Sequence, residues 1–343
     1  MSRRPTPDPR SRRRRLALAL TPALLAVGAC TDSGEPAPTS TSTPTSTPTS
    51  TPTSSSASSP TSTPPSSPAP APVSPDDLDR ATAVAAVAHL AGRIGPREGT
   101  SPAFGRAADW VEARFTALGY DVSRQRVDVP AGVSWQGAPL AAGRSANVVA
   151  TPPGFDATEP HLVVGAHLDT VSQAPGAEDN ASGVGVVLAV AEAVADRRTR
   201  LPVVLVAFGA EEPRGAGDAL HHFGSTQYVA SLTRAERGAV RAMVSLDRVG
   251  VGTVVPVGSA STSDPVQRAL LEAARRAGVP TVAEADERSS DHWSFVRAGL
   301  PAARLGSTPY AGYHSAGDVP AVVAPAQLER VGRVVLAWLA PRR

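Results

Sequence analysis

Histidine and carboxylate side chains recur just after short apolar runs in this sequence of 343 residues. Such side chains bind metal ions or transfer protons in enzymes. The candidates are His167 and Asp169 after the run 162–166, Asp179 in a Gly-bounded turn, Glu211 and Glu212 after 203–208, Asp247 after 242–246, and His314 in a Tyr-rich loop after 302–305. Imidazole and carboxylate donors without a thiolate suit zinc, cobalt or manganese.

The apolar runs alternate with helical patterns, and this alternation predicts the fold. A strand is predicted at 122–129, and helices at 75–91, 103–118, 183–196, 265–277, 291–298 and 325–339. Continuous apolar runs between helices are typical of strands that are buried on both faces. We therefore predict an α/β fold with a mostly parallel central β-sheet and helices on both of its faces. The candidate residues would lie beyond the carboxyl ends of the strands, where such sheets bind ligands.

Each motif taken alone also has a structural explanation. His167 would simply form a hydrogen bond with the nearby Asp169, and Asp179 would cap the amino terminus of the following helix. The pair Glu211-Glu212 would be a solvated acidic turn, and His314 an ordinary surface histidine. The functional interpretation depends on their occurring together.

Taken together, the candidates are too many for one tetrahedral zinc ion, which has four ligands. They suit two metal ions that share a bridging carboxylate. Two divalent ions carry +4, and Asp179, Glu212 and Asp247 contribute −3, so the remaining positive charge would lower the pKa of a bound water. Glu211, outside the ligand set, would accept the proton of that water.

The ordered motifs resemble peptidase family M28, the co-catalytic zinc aminopeptidases typified by bacterial leucyl aminopeptidases. The resemblance covers roughly residues 90–340 and implies the zinc exopeptidase (phosphorylase/hydrolase-like) fold. It rests on the series G-A-H-L-D-T, E-D-N-A-S-G, F-G-A-E-E, S-L-D-R-V-G, S-D-H-W-S-F and G-Y-H-S-A-G-D. By this resemblance, His167 and Asp247 complete one zinc site, Glu212 and His314 complete the other, and Asp179 bridges the two.

The resemblance also implies roles for neighbouring residues. Glu211 would be the general base, Asp169 would orient His167, and Tyr313 would help to stabilise the tetrahedral intermediate. The family has a cis peptide after the bridging aspartate, which is expected here at Asp179-Asn180. Asp291 and His292 in the S-D-H motif are expected to be structural.

The implied activity is metal-dependent cleavage of the amino-terminal peptide bond of peptides by a water held between two metal ions. One alternative is a glutaminyl cyclase, which shares the fold and uses a single zinc. Another is a non-catalytic binding module on the same fold. Two departures from the family affect the rim of the pocket: Arg248 stands where many members carry Met, and loop 213–222 is long. Its His221 and His222 are expected to be solvated.

The amino-terminal part has a different character. Residues 1–29 hold seven Arg, one Asp and the apolar run Leu16–Ala29, which suits a signal peptide, exported by the general secretory or the twin-arginine route. The run is too short to span a bilayer comfortably. It ends in Val-Gly-Ala before Cys30, the sole cysteine, which resembles a bacterial lipobox with a lipid-modified cysteine. An ordinary secretory peptide is the alternative.

A Ser/Thr/Pro-rich linker follows the lipidation site. Residues 31–75 contain 14 Ser, 11 Thr and 12 Pro, a composition that predicts a disordered spacer over residues 30–75. A single domain is predicted over 76–343, held at the outer face of the cytoplasmic membrane. Without residues 1–29 the chain has 26 Arg and 30 acidic residues, a net charge of −4, which does not favour nucleic acid as a partner.

Overall fold

The computed structural model describes residues 69–341 except Ser263. Its strands are β1 (Asp121–Val129), β2 (Gly132–Val133), β3 (Pro139–Leu140), β4 (Gly143–Thr151), β5 (His161–His167), β6 (Val203–Phe208), β7 (Val240–Leu246), β8 (Val255–Gly258), β9 (Thr281–Glu284) and β10 (Ala302–Leu305). Its α-helices are α1 (Arg80–His89), α2 (Pro102–Ala117), α3 (Ser182–Ala195), α4 (Phe223–Ser231), α5 (Arg234–Ala239), α6 (Pro265–Arg276), α7 (His292–Arg297) and α8 (Pro325–Leu339).

Eight of these strands form one mixed sheet in the order β1-β4-β6-β5-β7-β10-β8-β9. The four central strands β6, β5, β7 and β10 are parallel to one another, and β8 is parallel to β9. The pairs β1–β4, β4–β6 and β8–β10 are antiparallel. The mostly parallel sheet expected from the sequence is confirmed, and its central strands all end at the same edge.

Helices cover both faces of the sheet, as predicted. Successive residues of β5 belong to different cores: Val164 packs with α1, α2, α3, α6 and α8, whereas Val163 packs with α4 and α7. Every residue of β5 and β6 is buried. This two-sided burial explains why these strands are continuously apolar in the sequence.

The first predicted helix is wrong in its extent. Instead of one helix over 75–91, a single 3-10 turn at Pro75–Asp77 precedes α1, and Asp79 separates the two. Asp79 has an extended backbone, and its carboxylate accepts the N–H of Ala81. Because this carboxylate caps a new helix at Arg80, the first pattern cannot continue unbroken.

Residues ahead of the predicted boundary at 76 also contact the folded domain. The N–H of Val73 donates to the carbonyl of Arg198, whose own N–H donates to Ala71, and Val73 is buried. The predicted signal peptide, Cys30 and linker residues up to 68 lie outside the described residues. Within the described residues, no helix has the length and apolar character needed to cross a membrane.

Candidate metal centre

The predicted ligands meet at the carboxyl edge of the central strands. His167 is the last residue of β5, Asp247 directly follows β7, and Glu212 follows β6 by four residues. Asp179 lies in a single π-helical turn, Ala177–Ala181, ahead of α3, and His314 lies in the loop after β10. All five side chains are buried. The parallel strand order therefore brings together residues that are far apart in the chain.

Asp179 lies between the two histidines and presents one oxygen to each. Its Oδ1 is 3.1 Å from Nε2 of His167, and its Oδ2 is 3.2 Å from Nε2 of His314. On the far side of His167, Asp247 Oδ1 lies 3.7 Å from the same Nε2. Glu212 Oε2 lies 3.2 Å from Nε2 of His314. Asp179 thus contacts both histidines, with Asp247 near His167 and Glu212 near His314, as the family resemblance implies.

The donor atoms of this cluster fit divalent metal ions. Around a tetrahedral zinc ion with bonds of about 2.0–2.2 Å, neighbouring ligand atoms lie about 3.3–3.6 Å apart. The separations from Asp179 to His167 and from Glu212 to His314 are close to that range. Asp247 Oδ1 is buried and makes no hydrogen bond among the described residues. Such an oxygen needs a positive partner.

The electrostatics of the cluster also favour bound cations. Burial alone would lower the pKa of His167, but the surrounding carboxylates, Glu211 foremost, raise that pKa well above its usual value. Burial and the charge of Asp179 raise the pKa of Glu212 to about 7. Burial opposes ionisation of Asp179, yet its hydrogen bonds with the two histidines hold its pKa below the usual range. Without a metal ion, the cluster must bind protons to compensate its buried negative charge.

Asp169 requires a correction. We expected its carboxylate to hold the second ring nitrogen of His167. Instead, Nδ1 of His167 is 3.2 Å from the backbone carbonyl of Asp169 and 3.7 Å from its Oδ1. The carboxylate accepts the backbone N–H groups of Glu211, at 2.9 Å, and Glu212, at 3.1 Å. Two amides aligned by one turn offer the carboxylate a better pair of donors than a single ring nitrogen.

The side chains of Glu211 and Glu212 point in different directions from the turn that Asp169 holds. Glu212 Oε1 accepts the N–H of Val171, while its Oε2 faces His314. Glu211 Oε2 lies 4.0 Å from Nε2 of His167. Burial would raise the pKa of Glu211, but the neighbouring histidines, His221 foremost, hold it well below its usual value. Glu212 therefore faces His314, whereas Glu211 lies on the side of His167 as an ionised carboxylate.

The peptide bond between Asp179 and Asn180 is cis, as the resemblance implies. Asn180 donates from Nδ2 to the carbonyl of Leu246 at 2.8 Å, and its Oδ1 accepts the N–H of Gly183 at 3.0 Å. The carboxylate of Asp318 accepts the N–H groups of Glu178 and Asp179. These bonds tie the Asp179-Asn180 peptide to the end of β7 and to the loop that carries His314.

Arg97 holds the loop between β5 and Asp179, and sequence reasoning assigned it no role. Its buried guanidinium donates to the carbonyls of Leu168 at 2.6 Å, Pro175 at 2.7 Å and Gly176 at 3.0 Å. Burial lowers its pKa to about 10, so it remains charged at neutral pH. In the sequence it is only the last residue of the segment Ile94-Gly95-Pro96-Arg97, between two predicted helices.

We expect Arg97→Met to destabilise the protein by about 3 kcal/mol or more. Three buried carbonyls would lose their donor, at about 1–3 kcal/mol each. Arg93→Met is the matched control, because Arg93 is exposed. Chemical denaturation of both variants measures the difference. Equal unfolding free energies for the two variants would contradict this role of Arg97.

The model of peptidase family M28 matches residues 147–339, which contain every ligand candidate. This chain belongs to peptidase family M28. It is 29% identical over 242 residues to leupeptin-inactivating enzyme 1 of Streptomyces exfoliatus, a match that covers 68% of this chain and 50% of that enzyme. The chain thus spans about half the length of this relative.

Solved structures of two kinds share the M28 fold seen here. The zinc aminopeptidase BSAP of Bacillus subtilis superposes with a TM-score of 0.69 at 18% identity, over 78% of this chain and 96% of its own. A glutaminyl cyclase of Bacteroides thetaiotaomicron superposes with a TM-score of 0.65 at 20% identity, over 78% of this chain and 99% of its own. The fold is therefore established, and the chemistry must be argued from the residues of the site.

Tyr313 lies at the rim of the M28 site. Its ring stacks on His314, with centroids 3.8 Å apart, and the guanidinium of Arg248 lies 4.5 Å from the ring centroid. Trp135, which the sequence did not indicate, packs edge-on against His314 at 4.6 Å. Nε of Arg248 lies 3.7 Å from Oδ1 of Asp247. Arg248, the departure from the family pattern, thus lines the same pocket as the candidate ligands.

The expectations for the S-D-H motif and for the histidines of loop 213–222 have different outcomes. His292 is structural, as expected: it is buried, and its Nε2 lies 2.9 Å from the carbonyl of Glu287. Burial lowers its pKa to about 4. Asp291 is also buried and lies outside the groups of possible metal ligands found in the described residues. The expectation for His222 is wrong, because its side chain is only 1% exposed and contacts Glu211.

Proposed function

We propose that this M28 chain hydrolyses the amino-terminal peptide bond of peptides, with two divalent ions, zinc in the first instance, and Glu211 as general base. The observation that carries the proposal is Asp179, whose two oxygens face two different histidines. A shared carboxylate of this kind suits a pair of ions. His167 and Asp247 would complete one site, and Glu212 and His314 the other.

The residues of the chain would act as follows. When bound, the two ions polarise the scissile carbonyl and lower the pKa of the attacking water. Glu211 accepts the proton of that water and returns it to the leaving amine. Its low pKa keeps the carboxylate ionised, and its Oε2, 4.0 Å from Nε2 of His167, would lie within reach of a water held there. The hydroxyl of Tyr313 donates to the developing oxyanion. Burial and the charge of Asp179 raise the pKa of Tyr313, so this hydroxyl stays protonated.

A free α-amine is the substrate feature that distinguishes this activity from internal cleavage. Leucine p-nitroanilide and a leucyl peptide should be cleaved by the purified full chain, while their N-acetylated counterparts should not. Metal content measured on the same sample should be two ions per chain in the cluster. Equal cleavage of acetylated and free substrates would overturn the aminopeptidase assignment.

Glutaminyl cyclase activity is the second candidate, because solved cyclases share this fold at a similar TM-score. The shared position of Asp179 argues against it, since a single ion would not need two histidines on one carboxylate. A glutaminyl peptide tests the point. Cyclisation releases ammonia and leaves a blocked terminus, whereas aminopeptidase action releases free glutamine. One bound ion with ammonia release would establish the cyclase.

Removing the metal is expected to abolish hydrolysis and lower the melting temperature. Asp179, Glu212 and Asp247 are buried together, so without cations their charges repel one another. A ligand at 100 times its Kd stabilises a protein by about 2.7 kcal/mol. Thermal unfolding before and after chelation, and again after adding zinc, measures the effect. An unchanged melting temperature would argue against metal at this cluster.

We further propose that Cys30 carries a lipid anchor and that the domain acts at the outer face of the cytoplasmic membrane. The support is the lipobox-like sequence before the only cysteine of the chain. In a bacterial host, Cys30→Ser should move the protein from the membrane fraction to the soluble exported fraction. Mass spectrometry of the amino-terminal peptide should show the lipid in the parent chain. Membrane association that survives the substitution would contradict the anchor.

A further inference from the structure

Glu211 has a second set of partners on the side away from His167. Its Oε1 lies 3.2 Å from Nε2 of His222 and 3.4 Å from Nε2 of His221. The two imidazole rings stack, with centroids 3.7 Å apart and planes 25° apart. Stacking directs both rings toward the same carboxylate oxygen. The result is a group of two nitrogens and one oxygen, all within 4.8 Å of one another.

The loop that carries the two histidines is built to hold them there. The N–H of His222 donates to the carbonyl of Glu211 at 2.9 Å, and the N–H of Phe223 donates to Ala210 at 3.0 Å. His222 has a φ of 58°, in the left-handed region that residues other than glycine seldom adopt. The other end of the loop is anchored by buried Arg214, which donates to the carbonyl of Ala141 at 2.7 Å. The loop thus closes back on the residue that its histidines contact.

His222 is unusual because neither of its ring nitrogens makes a hydrogen bond among the described residues, although both are buried. Buried polar atoms are normally paired, and an unpaired one costs about 1–3 kcal/mol. An ion pair between Glu211 and His221 would leave His222 unsatisfied. A metal ion bound by all three side chains would satisfy Nε2 of both histidines at once.

The spacing also suits zinc. Neighbouring ligand atoms around a tetrahedral zinc ion lie about 3.3–3.6 Å apart, and the two measured separations from Glu211 Oε1 are 3.2 and 3.4 Å. His221 is one quarter exposed, so the site is open to solvent on one side. Three protein ligands, with water in the fourth position, make up a four-coordinate zinc site.

We propose that Glu211, His221 and His222 bind a further zinc ion, separate from the pair held by Asp179. Zinc at this site would occupy Oε1 of Glu211 and restrain the carboxylate that moves the proton. Zinc in excess of the catalytic pair would therefore inhibit hydrolysis. This last consequence rests on the proposed function, whereas the binding site itself does not.

The test is zinc titration of the full chain by calorimetry, with metal content measured after removal of free zinc. The parent should bind one zinc ion more per chain than His221→Ala and His222→Ala. His89→Ala is the matched control, because His89 stacks on Trp110 away from this loop and its loss should change nothing. Circular dichroism checks folding. If His222→Ala does not fold, the zinc content of His221→Ala still decides the result, because His221 is partly exposed.

The outcomes separate this proposal from the proposed function. A parent that binds no more zinc than His221→Ala overturns the further site, even when hydrolysis and its dependence on the Asp179 cluster are intact. A parent that binds one ion more than His221→Ala supports the site, and if neither protein cleaves peptides at any zinc concentration the aminopeptidase is refuted. In an active enzyme, excess zinc should inhibit the parent and not His221→Ala, and equal inhibition of both would also overturn the site.

Discussion

Glu211→Gln is expected to lower peptide hydrolysis by about 10²–10⁴-fold, the usual contribution of a general base. The amide has the shape of the carboxylate but cannot accept a proton from water. The backbone N–H of residue 211 still donates to Asp169, so the turn should keep its conformation. The expected result is a folded protein that retains the pair of ions at the Asp179 cluster and cleaves leucine p-nitroanilide very slowly.

Two control variants make this result specific to Glu211. Glu329→Gln removes an exposed carboxylate that pairs with Arg80, and its kcat should match that of the parent. Glu212→Gln changes the neighbouring acid, which faces His314, and should lower metal content as well as kcat. If Glu211→Gln retained near-normal kcat, Glu211 would not be the base, and the proposed mechanism would be wrong.

Asp179→Asn is expected to weaken binding of both ions, which no other single substitution in the cluster should do. Each histidine would face a neutral amide in place of its shared carboxylate oxygen. His167→Ala and His314→Ala should each weaken one site. Metal content after dialysis against a weak chelator measures the difference, and hydrolysis should fall with it. Asp128→Asn is the control, since Asp128 is exposed and pairs with Arg126.

The result for Asp179→Asn bears directly on the bridging role. Loss of a single ion, equal to that in His167→Ala, would show that Asp179 serves only one site. Thermal unfolding in the presence of chelator should show that the variant folds, because its backbone N–H still donates to Asp318. If the metal-free variant were unfolded, Asp247→Asn would provide a second test, and there only the ion on the His167 side should be lost.

The sequence predicts the four central strands well but misses β4, β8 and β9 of the same sheet. In β5 and β6, burial on both faces leaves only apolar residues, and the pattern is clear. In β4, the buried Asn147 interrupts the pattern, because its side chain accepts the N–H of Gly209 and donates to the carbonyl of Gly224. These partners come from the end of β6 and the first turn of α4, which are distant in the chain. A polar residue with such partners cannot be distinguished from a surface residue by its position alone.

The proximity of the candidate ligands was predictable because strand ends meet at one edge of a parallel sheet, so that position along the strand implies proximity. The residues that surround the candidate ligands were harder to predict. His222 lies in a polar loop and becomes buried only because that loop folds back on Glu211. Trp135 and Arg97 come from segments with no periodic pattern that leads to the site. Their contacts depend on loop closure, which local sequence does not encode.

The hydrogen bonds of Asp169 have a consequence for how the site can change in evolution. One carboxylate holds two successive amides, so the Glu211-Glu212 peptide is fixed in orientation and its two side chains diverge. The directions of the two glutamates are therefore set by a residue two positions beyond β5 and not by either glutamate. A one-residue insertion between β6 and Glu211 would turn Glu211 toward His314, in the place of Glu212, and would leave no acid in the present place of Glu211 beside His167. Insertions after Glu212 should therefore be tolerated in evolution, whereas insertions before Glu211 should be selected against. The long segment 213–222 lies after Glu212.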